Sequence, residues 1–240
     1  IWSWEEYKSL FKGVSCEKMI GESTVLYLYY YELAIKNIKH YLGDDVKIII
    51  MLRDPVERAF SAYNHVSRGM KENLSFEEAL KIESDRLNKD LSLTPMVMYK
   101  DMGLYFEMVK AFKSHFTNIH IILYDDFKQN TDRVVSDTVS FLGLNSGYSI
   151  NTGKILNKSE GVWRFSFAKK LLTSDYKLKK VVRYIIPFFI RKNLKSIFTC
   201  FLKKEVESMS PKISKELKKF FKEDILSLEK LLHVNLEHWK

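Results

Sequence analysis

The chain has 240 residues and a formal net charge of +9, with 39 Lys and Arg against 30 Asp and Glu. Hydrophobic residues make up 46% of the chain and aromatic residues 14%, which excludes a disordered chain and suffices for one sizeable core. A membrane-spanning helix is also excluded, because it needs roughly 20 apolar residues and the most apolar stretch, Tyr184 to Ile190, is short and contains Pro187. We therefore predict a single domain over residues 1–240.

The first candidate functional residue is Glu22, which follows a short apolar stretch that we interpret as a strand. A carboxylate at the end of a strand can orient an acceptor or act as a general base. It can equally pair with a nearby arginine for structural reasons. The residues alone leave both roles open.

A strand followed by a helix is predicted around Arg53. Ile48 to Leu52 is a short apolar run rich in β-branched residues, typical of a strand in the middle of a parallel sheet. The next helix has three start signals: Asp54 as N-cap, Pro55 at the first helical position, and Glu57 placed to complete a capping box. Unpaired N–H groups at a helix N-terminus favour an anion, and Arg53 adds a full positive charge. The turn therefore predicts a phosphate site.

Within the predicted helix, Ser61 and His65 are four residues apart and share one face. Phe60 and Tyr63 turn elsewhere, and we expect them to pack. One face is thus polar and suited to chemistry. The alternative is purely structural, with Arg53 satisfied by carboxylates and His65 an ordinary surface histidine.

A second apolar strand is predicted at 119–124, and long helical patterns alternate with the two strands. This alternation predicts crossover connections and an α/β fold, a three-layer αβα arrangement with a central parallel sheet. One helix opens at Gly103-Leu104-Tyr105, and another closes on Phe141 to Leu144.

The last helix carries an apolar stripe that predicts core packing. Its members are Ile213, Leu217, Phe220, Phe221, Ile225, Leu228, Leu231 and Leu232. We interpret the closing Leu236-Glu237-His238-Trp239 as structural and assign no catalytic role to His233 or His238.

Positive charge is concentrated in residues 169–204, which hold eleven Lys or Arg and one acid, Asp175, while the rest of the chain sums to −1. This basic segment belongs to a predicted helical subregion at about 163–240. It is interpreted either as a binding face for an acidic glycan or an anionic membrane surface, or as a solvated surface. Nucleic-acid binding is disfavoured because no recognised module is present.

The two cysteines, Cys16 and Cys200, lie far apart and have no histidine partners at metal-binding spacing. A zinc site is therefore not expected. Two reduced thiols are the plainest interpretation, and they favour a cytoplasmic protein.

Several of these segments, in this order, resemble the PAPS-dependent sulfotransferases, where PAPS is 3′-phosphoadenosine 5′-phosphosulfate. The run from Arg58 to His65 is most similar to the heparan-sulfate N- and O-sulfotransferases and their bacterial relatives. The resemblance extends to four further segments: Ile20 to Leu28 (with departures at Ser23 and Val25), Gly103-Leu104-Tyr105, Ile121 to Phe127 and Asn157 to Ser166.

The resemblance implies transfer of a sulfuryl group from PAPS to a hydroxyl or amine of an acceptor, a glycan, with release of adenosine 3′,5′-bisphosphate and without a metal. It implies that Arg53 and Ser61 hold the 3′-phosphate and that Arg164 supplies a second contact to the donor. His65 matches an active-site histidine of the N-sulfotransferases. Glu22 lies in a matching segment and is a candidate base or acceptor-orienting residue.

The family holds the 5′-phosphosulfate with a Lys-x-Gly-Thr-(Ser/Thr) loop, and this chain contains no such motif. We expect that loop, and the family's general base, upstream of Ile1. The alternative function is a non-catalytic nucleotide- or polyanion-binding protein on a degenerate sulfotransferase fold. A nucleotide kinase of related topology is disfavoured, since the chain has no Walker loop.

Overall fold

The computed structural model describes residues 3–69, 72–89, 95–144, 152–153, 162–163, 203–204 and 208–240. The helices and strands are, in chain order, α1 (Trp4–Ser9), α2 (Leu26–Tyr29), α3 (Tyr31–Leu42), β1 (Ile48–Leu52), α4 (Pro55–Arg68), α5 (Phe76–Lys81), α6 (Glu83–Lys89), α7 (Tyr105–His115), β2 (Ile119–Leu123), α8 (Tyr124–Gln129), α9 (Thr131–Leu142), β3 (Val162–Trp163), β4 (Lys203–Lys204) and α10 (Pro211–Leu232). The chain forms two compact units, one of Ile1–Arg53 and Glu107–Lys154, the other of Asp54–Phe106 and Ile155–Lys240.

The parallel sheet of the first unit consists of β1 and β2, in a register that runs from Ile48 opposite Ile119 to Leu52 opposite Leu123. Both predicted strands are confirmed, although β2 stops one residue early because Tyr124 already begins α8. A parallel pair needs a long crossover connection, and the helices between residues 55 and 115 supply it. The α/β class is thereby confirmed.

The two faces of β1 differ in burial. Ile50 and Leu52 are buried, with 6% and 0% of their surface exposed, whereas Ile49 and Met51 are 42% and 48% exposed. Successive side chains point to opposite faces of a strand, so one face is open in the described part of the chain. The predicted strand is therefore buried on one face only in this part of the chain.

The core of the second unit is organised by α10, which confirms the helical C-terminal part of the fold. Ile213, Leu217, Phe221, Ile225 and Leu228 are buried on one stripe of this helix. Phe220 was expected in that stripe, but it is 47% exposed and its ring lies 5.6 Å from Lys100 Nζ. Adjacent helical residues are about 100° apart, and Phe221 takes the central position. Leu236 and Trp239 are fully buried, which confirms their structural interpretation.

A close approach in the second unit explains the glycine at position 103. A Cβ atom on Gly103 would lie 2.8 Å from Cε1 of Phe221 and 3.3 Å from Cβ of Pro55. Because Phe221 is fully buried, its ring has little room to move away. Gly103 therefore allows the segment before α7 to pack directly on α10.

The predicted helical subregion at 163–240 contains a short antiparallel pair. Val162 lies opposite Lys204, and Trp163 lies opposite Lys203. The helical prediction is wrong for Trp163, Lys203 and Lys204, because these residues belong to paired antiparallel strands. The rest of the basic segment 169–204 lies outside the described residues. None of the helices that the structure describes has the length and apolarity to cross a membrane.

Candidate functional site

Arg53 and Tyr124 meet at the carboxyl edge of the parallel sheet. Leu52 and Leu123 are the last paired residues of β1 and β2, so the next residue of each strand leaves the sheet at the same edge. The guanidinium carbon of Arg53 lies 5.0 Å from the centre of the Tyr124 ring. This distance is within the range of an attractive cation–π contact. The strand-end arginine predicted from the sequence is therefore held against an aromatic ring.

A second cation contacts the same ring. Lys128 Nζ, one turn further along α8, lies 5.2 Å from the ring centre of Tyr124. Lys128 also forms an ion pair with Asp125, whose Oδ1 atom is 3.0 Å away. Lys128 therefore contacts both the ring of Tyr124 and the carboxylate of Asp125.

The N-terminus of α4 begins as predicted, with Asp54 as N-cap and Pro55 in the first turn. Asp54 Oδ1 accepts the backbone N–H groups of Val56 and Glu57 at 2.7 and 3.2 Å. Pro55 has no N–H, and Arg58 N–H donates to the Asp54 carbonyl at 2.8 Å. Burial raises the pKa of Asp54, against the opposing effect of these hydrogen bonds.

These contacts correct one prediction. The donors of the first turn of α4 are already used by Asp54, so the helix N-terminus is not an open anion site in this structure.

Ser61 and His65 both lie on α4 and are one turn apart, as predicted. Ser61 is half-buried and His65 is exposed. Both belong to the second unit, whereas Arg53 is the last residue of the first unit. Because His65 is exposed, this position of the predicted polar face is accessible to solvent.

The opposite side of α4 is fixed by aromatic packing, as expected for Phe60 and Tyr63. Their rings lie 5.2 and 5.1 Å from the ring of Phe76, and Tyr63 also lies 5.9 Å from Tyr99. The Tyr63 hydroxyl donates to the carbonyl of Leu74 at 2.9 Å. This packing sets the rotation of α4 about its axis and so the direction of its polar face.

Arg58, which the sequence did not single out, is a buried tether in the second unit. Its Nη1 atom donates to the carbonyl of Tyr99 at 3.1 Å, and Nη2 lies 3.0 Å from the Met102 sulfur. Burial lowers the pKa of Arg58, an effect partly offset by Tyr105 and Glu83. The only sequence signal for this role is an arginine on the apolar side of an amphipathic helix.

A second buried network supports the same segment. Glu72 accepts hydrogen bonds from both guanidinium arms of Arg86, at 2.6 and 2.9 Å, and from the Tyr99 hydroxyl at 2.9 Å. Glu83 is 2% exposed and accepts the backbone N–H groups of Lys100 and Asp101. The two carboxylates therefore fix the turn that precedes α7.

Glu22 lies in a loop, and the strand predicted before it is wrong. Residues 17–25 contain no strand, and Ile20 is 53% exposed, because a two-residue apolar run finds no neighbouring strand to pair with. Glu22 Oε1 accepts from the Tyr7 hydroxyl at 3.1 Å and also from the Tyr27 hydroxyl. Burial, followed by the Glu22 carboxylate, raises the pKa of Tyr7 to about 12. Among the residues that the structure describes, Glu22 thus has two tyrosine partners.

Comparison with known proteins decides the family. A family model described as "Sulfotransferase domain" matches residues 32–231, more than four fifths of the chain. The chain belongs to the sulfotransferase family. The matched range contains Arg53, Ser61, His65 and Arg164, while Glu22 lies upstream of it.

A solved structure agrees with this family assignment. The crystal structure of a sulfotransferase from Alicyclobacillus acidocaldarius is 28% identical, with a TM-score of 0.70, and the match covers 99% of this chain and 74% of that one. No curated protein sequence matches the chain. The predicted sulfotransferase resemblance is confirmed, and with it a sulfuryl-transferring type of activity.

Some predicted parts of the sulfotransferase site lie outside the described residues. Arg164 is among them, as is most of the basic segment 169–204, and Cys200 also lies outside the described residues. Cys16 is exposed and free. Among the described residues, no group of three or more His, Cys, Asp or Glu is arranged to hold a metal ion.

Proposed function

We propose that this sulfotransferase transfers a sulfuryl group from PAPS to a hydroxyl or amine of a carbohydrate acceptor and releases adenosine 3′,5′-bisphosphate. The observation that carries the proposal is the placement of Arg53 at the carboxyl edge of β1 and β2, against Tyr124. In open α/β sheets, ligands bind outside the carboxyl ends of the strands. The segment that contains Arg53 is also the one that resembles the 3′-phosphate-binding segment of the family.

In this proposal the 3′-phosphate is held by side chains. Arg53 supplies a guanidinium that can donate two parallel hydrogen bonds to phosphate oxygens. Ser61 supplies a hydroxyl from α4, and Arg164 supplies a further charge. Asp54 already accepts the N–H groups of Val56 and Glu57 at the start of α4. Side chains are therefore proposed as the source of binding in place of these backbone groups.

Sulfuryl transfer, like phosphoryl transfer, demands an in-line arrangement and stabilisation of charge on the leaving phosphate. We propose that His65, exposed on the same face as Ser61, stabilises the transferring group or donates a proton. Glu22 is proposed to orient the acceptor. The two tyrosine hydroxyls that donate to one of its oxygens would hold the carboxylate in a fixed direction.

Calorimetry on the full-length protein tests the proposal. We expect adenosine 3′,5′-bisphosphate to bind in the micromolar range and adenosine 5′-monophosphate to bind at least tenfold more weakly, because only the first carries the 3′-phosphate. Equal binding of the two nucleotides, or no binding of either, would overturn the PAPS assignment. In that case a search for acidic polymers bound by residues 169–204 would follow.

A further inference from the structure

Tyr27, in α2, places an exposed aromatic ring beside the carboxylate of Glu22. The Tyr27 side chain is 39% exposed, and its hydroxyl donates to Glu22 Oε1. Single exposed apolar side chains are common on protein surfaces and need no explanation. A ring that is bonded to an exposed carboxylate is different, because it offers an apolar surface and a hydrogen-bond acceptor side by side.

Tyr7 holds the same carboxylate from α1. Its hydroxyl donates to Glu22 Oε1 at 3.1 Å. The Tyr7 ring stacks on Trp4 with a centroid distance of 5.5 Å, and Trp4 stacks on Tyr41 of α3 at 4.5 Å. These three rings pack α1 against α3. The position of Glu22 therefore depends on packed helices as well as on its own loop.

The two tyrosines use only one oxygen of Glu22. Both hydroxyls donate to Oε1, and no residue in the described part of the chain donates to Oε2. Burial, followed by the Glu22 carboxylate, raises the pKa of Tyr7 and of Tyr27, so both hydroxyls keep their protons at neutral pH. Because Glu22 is exposed, Oε2 can accept an O–H or N–H group from a ligand.

A pyranose ring presents the two kinds of group that match this arrangement. C–H groups on its face can pack on an aromatic ring, whose face carries partial negative charge. Hydroxyl or amino groups on its edge can donate to a carboxylate. Tyr27 and Glu22 offer both partners in direct contact with each other. A sugar can therefore use the ring and the free carboxylate oxygen at the same time.

The charge of Glu22 favours some sugars over others. An acidic sugar would bring a second anion beside the carboxylate, and like charges placed side by side cost free energy. A neutral sugar brings only hydroxyl donors. An amino sugar adds a positive charge, and hydrogen bonds between charged groups are stronger than those between neutral ones.

We propose that Glu22 and Tyr27 form a pyranoside-binding subsite that takes a neutral or amino sugar in preference to an acidic one. The ring of Tyr27 supports the face of the sugar, and Glu22 Oε2 accepts a hydrogen bond from its hydroxyl or amino group. The inference rests on the proposed function, because it takes this sugar to be part of the acceptor.

The experiment measures the binding of three trisaccharides to the full-length protein by saturation-transfer NMR. The probes are N-acetylchitotriose, which is neutral, chitotriose, which carries amino groups, and trigalacturonic acid, which is acidic. The variants are Tyr27→Leu, Tyr27→Phe and Glu22→Gln. Tyr30→Leu is the matched control, since Tyr30 is 47% exposed and its ring contacts Tyr29 edge-on at 5.0 Å. Calorimetry with adenosine 3′,5′-bisphosphate tests the donor site of each protein separately.

We expect the wild type to bind trigalacturonic acid at least tenfold more weakly than the other two probes. Tyr27→Leu should bind N-acetylchitotriose and chitotriose about fivefold more weakly, while Tyr27→Phe, which keeps the ring, should lose less. Glu22→Gln should bind chitotriose about tenfold more weakly and should no longer discriminate against trigalacturonic acid. Tyr30→Leu should bind every probe like the wild type, and no variant should change the affinity for the bisphosphate.

Three results would overturn the inference while leaving the proposed function intact, provided that the wild type binds the bisphosphate. The first is the absence of binding for all three trisaccharides. The second is a preference of the wild type for trigalacturonic acid. The third is wild-type affinity for the sugars in both Tyr27→Leu and Glu22→Gln. Failure of the wild type to bind the bisphosphate would instead overturn the proposed function, whatever the sugars do.

Discussion

Asp224, in the middle of α10, caps the beginning of α7 by accepting the backbone N–H of Tyr105 at 2.8 Å. Its other oxygen accepts the N–H of Phe106 at 3.1 Å. The first N–H groups of a helix have no partner within that helix. A residue 119 positions along the chain from Tyr105 thus supplies what a local N-cap normally provides.

Replacing Asp224 by alanine should lower the free energy of unfolding by about 1–2 kcal/mol, because two backbone donors lose their acceptor. Asp224→Asn keeps one carbonyl oxygen and should lose less. Urea denaturation followed by circular dichroism measures the change. The control is Glu223→Ala, at an exposed neighbouring position on α10. Equal stability of Asp224→Ala and Glu223→Ala would show that the cap is not important.

Glu72 makes the free energy of unfolding depend on pH in the acid range. Burial disfavours the charged form of Glu72, but hydrogen bonds from Arg86, Tyr99 and the backbone of Leu74 outweigh it and lower the pKa from 4.5. The unfolded state then binds protons more readily than the folded state. The stabilisation is present above pH 4.5 and is lost as the pH falls below that value.

Glu72→Gln should therefore be less stable at pH 7 by about 2–3 kcal/mol, since Arg86 is left without its partner. The difference from the wild type should shrink as the pH falls from 5 to 3. Urea denaturation across this pH range measures both effects. Glu77→Gln is the matched control, because Glu77 pairs with Lys81 on the exposed face of α5 and should matter little. A stability difference between Glu72→Gln and the wild type that stays constant with pH would contradict the proposed titration of Glu72.

Ser61→Ala should weaken the binding of adenosine 3′,5′-bisphosphate about tenfold, the loss of one hydrogen bond to a charged phosphate. Binding of adenosine 5′-monophosphate should stay the same. Ser67→Ala on the same helix is the control. Its hydroxyl is buried and has no hydrogen-bond partner among the described residues, so its removal costs no interaction. If both variants bind like the wild type, Ser61 does not contact the 3′-phosphate.

His65→Asn should separate chemistry from binding. We expect release of adenosine 3′,5′-bisphosphate from PAPS, in the presence of acceptor, to slow by about 100-fold or more. The dissociation constant of adenosine 3′,5′-bisphosphate should stay within twofold, because His65 is assigned to the transferring group. The matched control is His115→Asn, at an exposed position at the end of α7. An unchanged kcat in His65→Asn would show that His65 is an ordinary surface histidine with no role in the transfer step.

The sequence predicted the elements that depend on local patterns. The predicted strand Ile48 to Leu52 has the same bounds as β1, and α4 begins where the start signals at Asp54 and Pro55 predicted. Ser61 and His65 share a face because helical spacing alone decides it. These features need only the periodicity of apolar residues and the chemistry of helix ends.

Other features depend on contacts far apart along the chain. The exposure of Phe220, the capping of α7 by Asp224 and the tether at Arg58 follow from which helix packs against which. The partner of Arg53 followed from the register of β1 and β2, which no single segment encodes. Glu22 was misplaced because a short apolar run looks like a strand even where no neighbouring strand receives it.

The role of Arg53 is tested most directly by calorimetry with adenosine 3′,5′-bisphosphate on the full-length wild type, Arg53→Ala, Arg53→Lys and Lys47→Ala. Lys47, which donates to the carbonyl of Phe141 at 2.7 Å, is the matched cation at the other end of β1. We expect affinity for the bisphosphate to fall about 10- to 100-fold in Arg53→Ala, to fall by an intermediate amount in Arg53→Lys, and to stay unchanged in Lys47→Ala. Wild-type affinity in a folded Arg53→Ala protein would contradict the assignment of Arg53 to the 3′-phosphate.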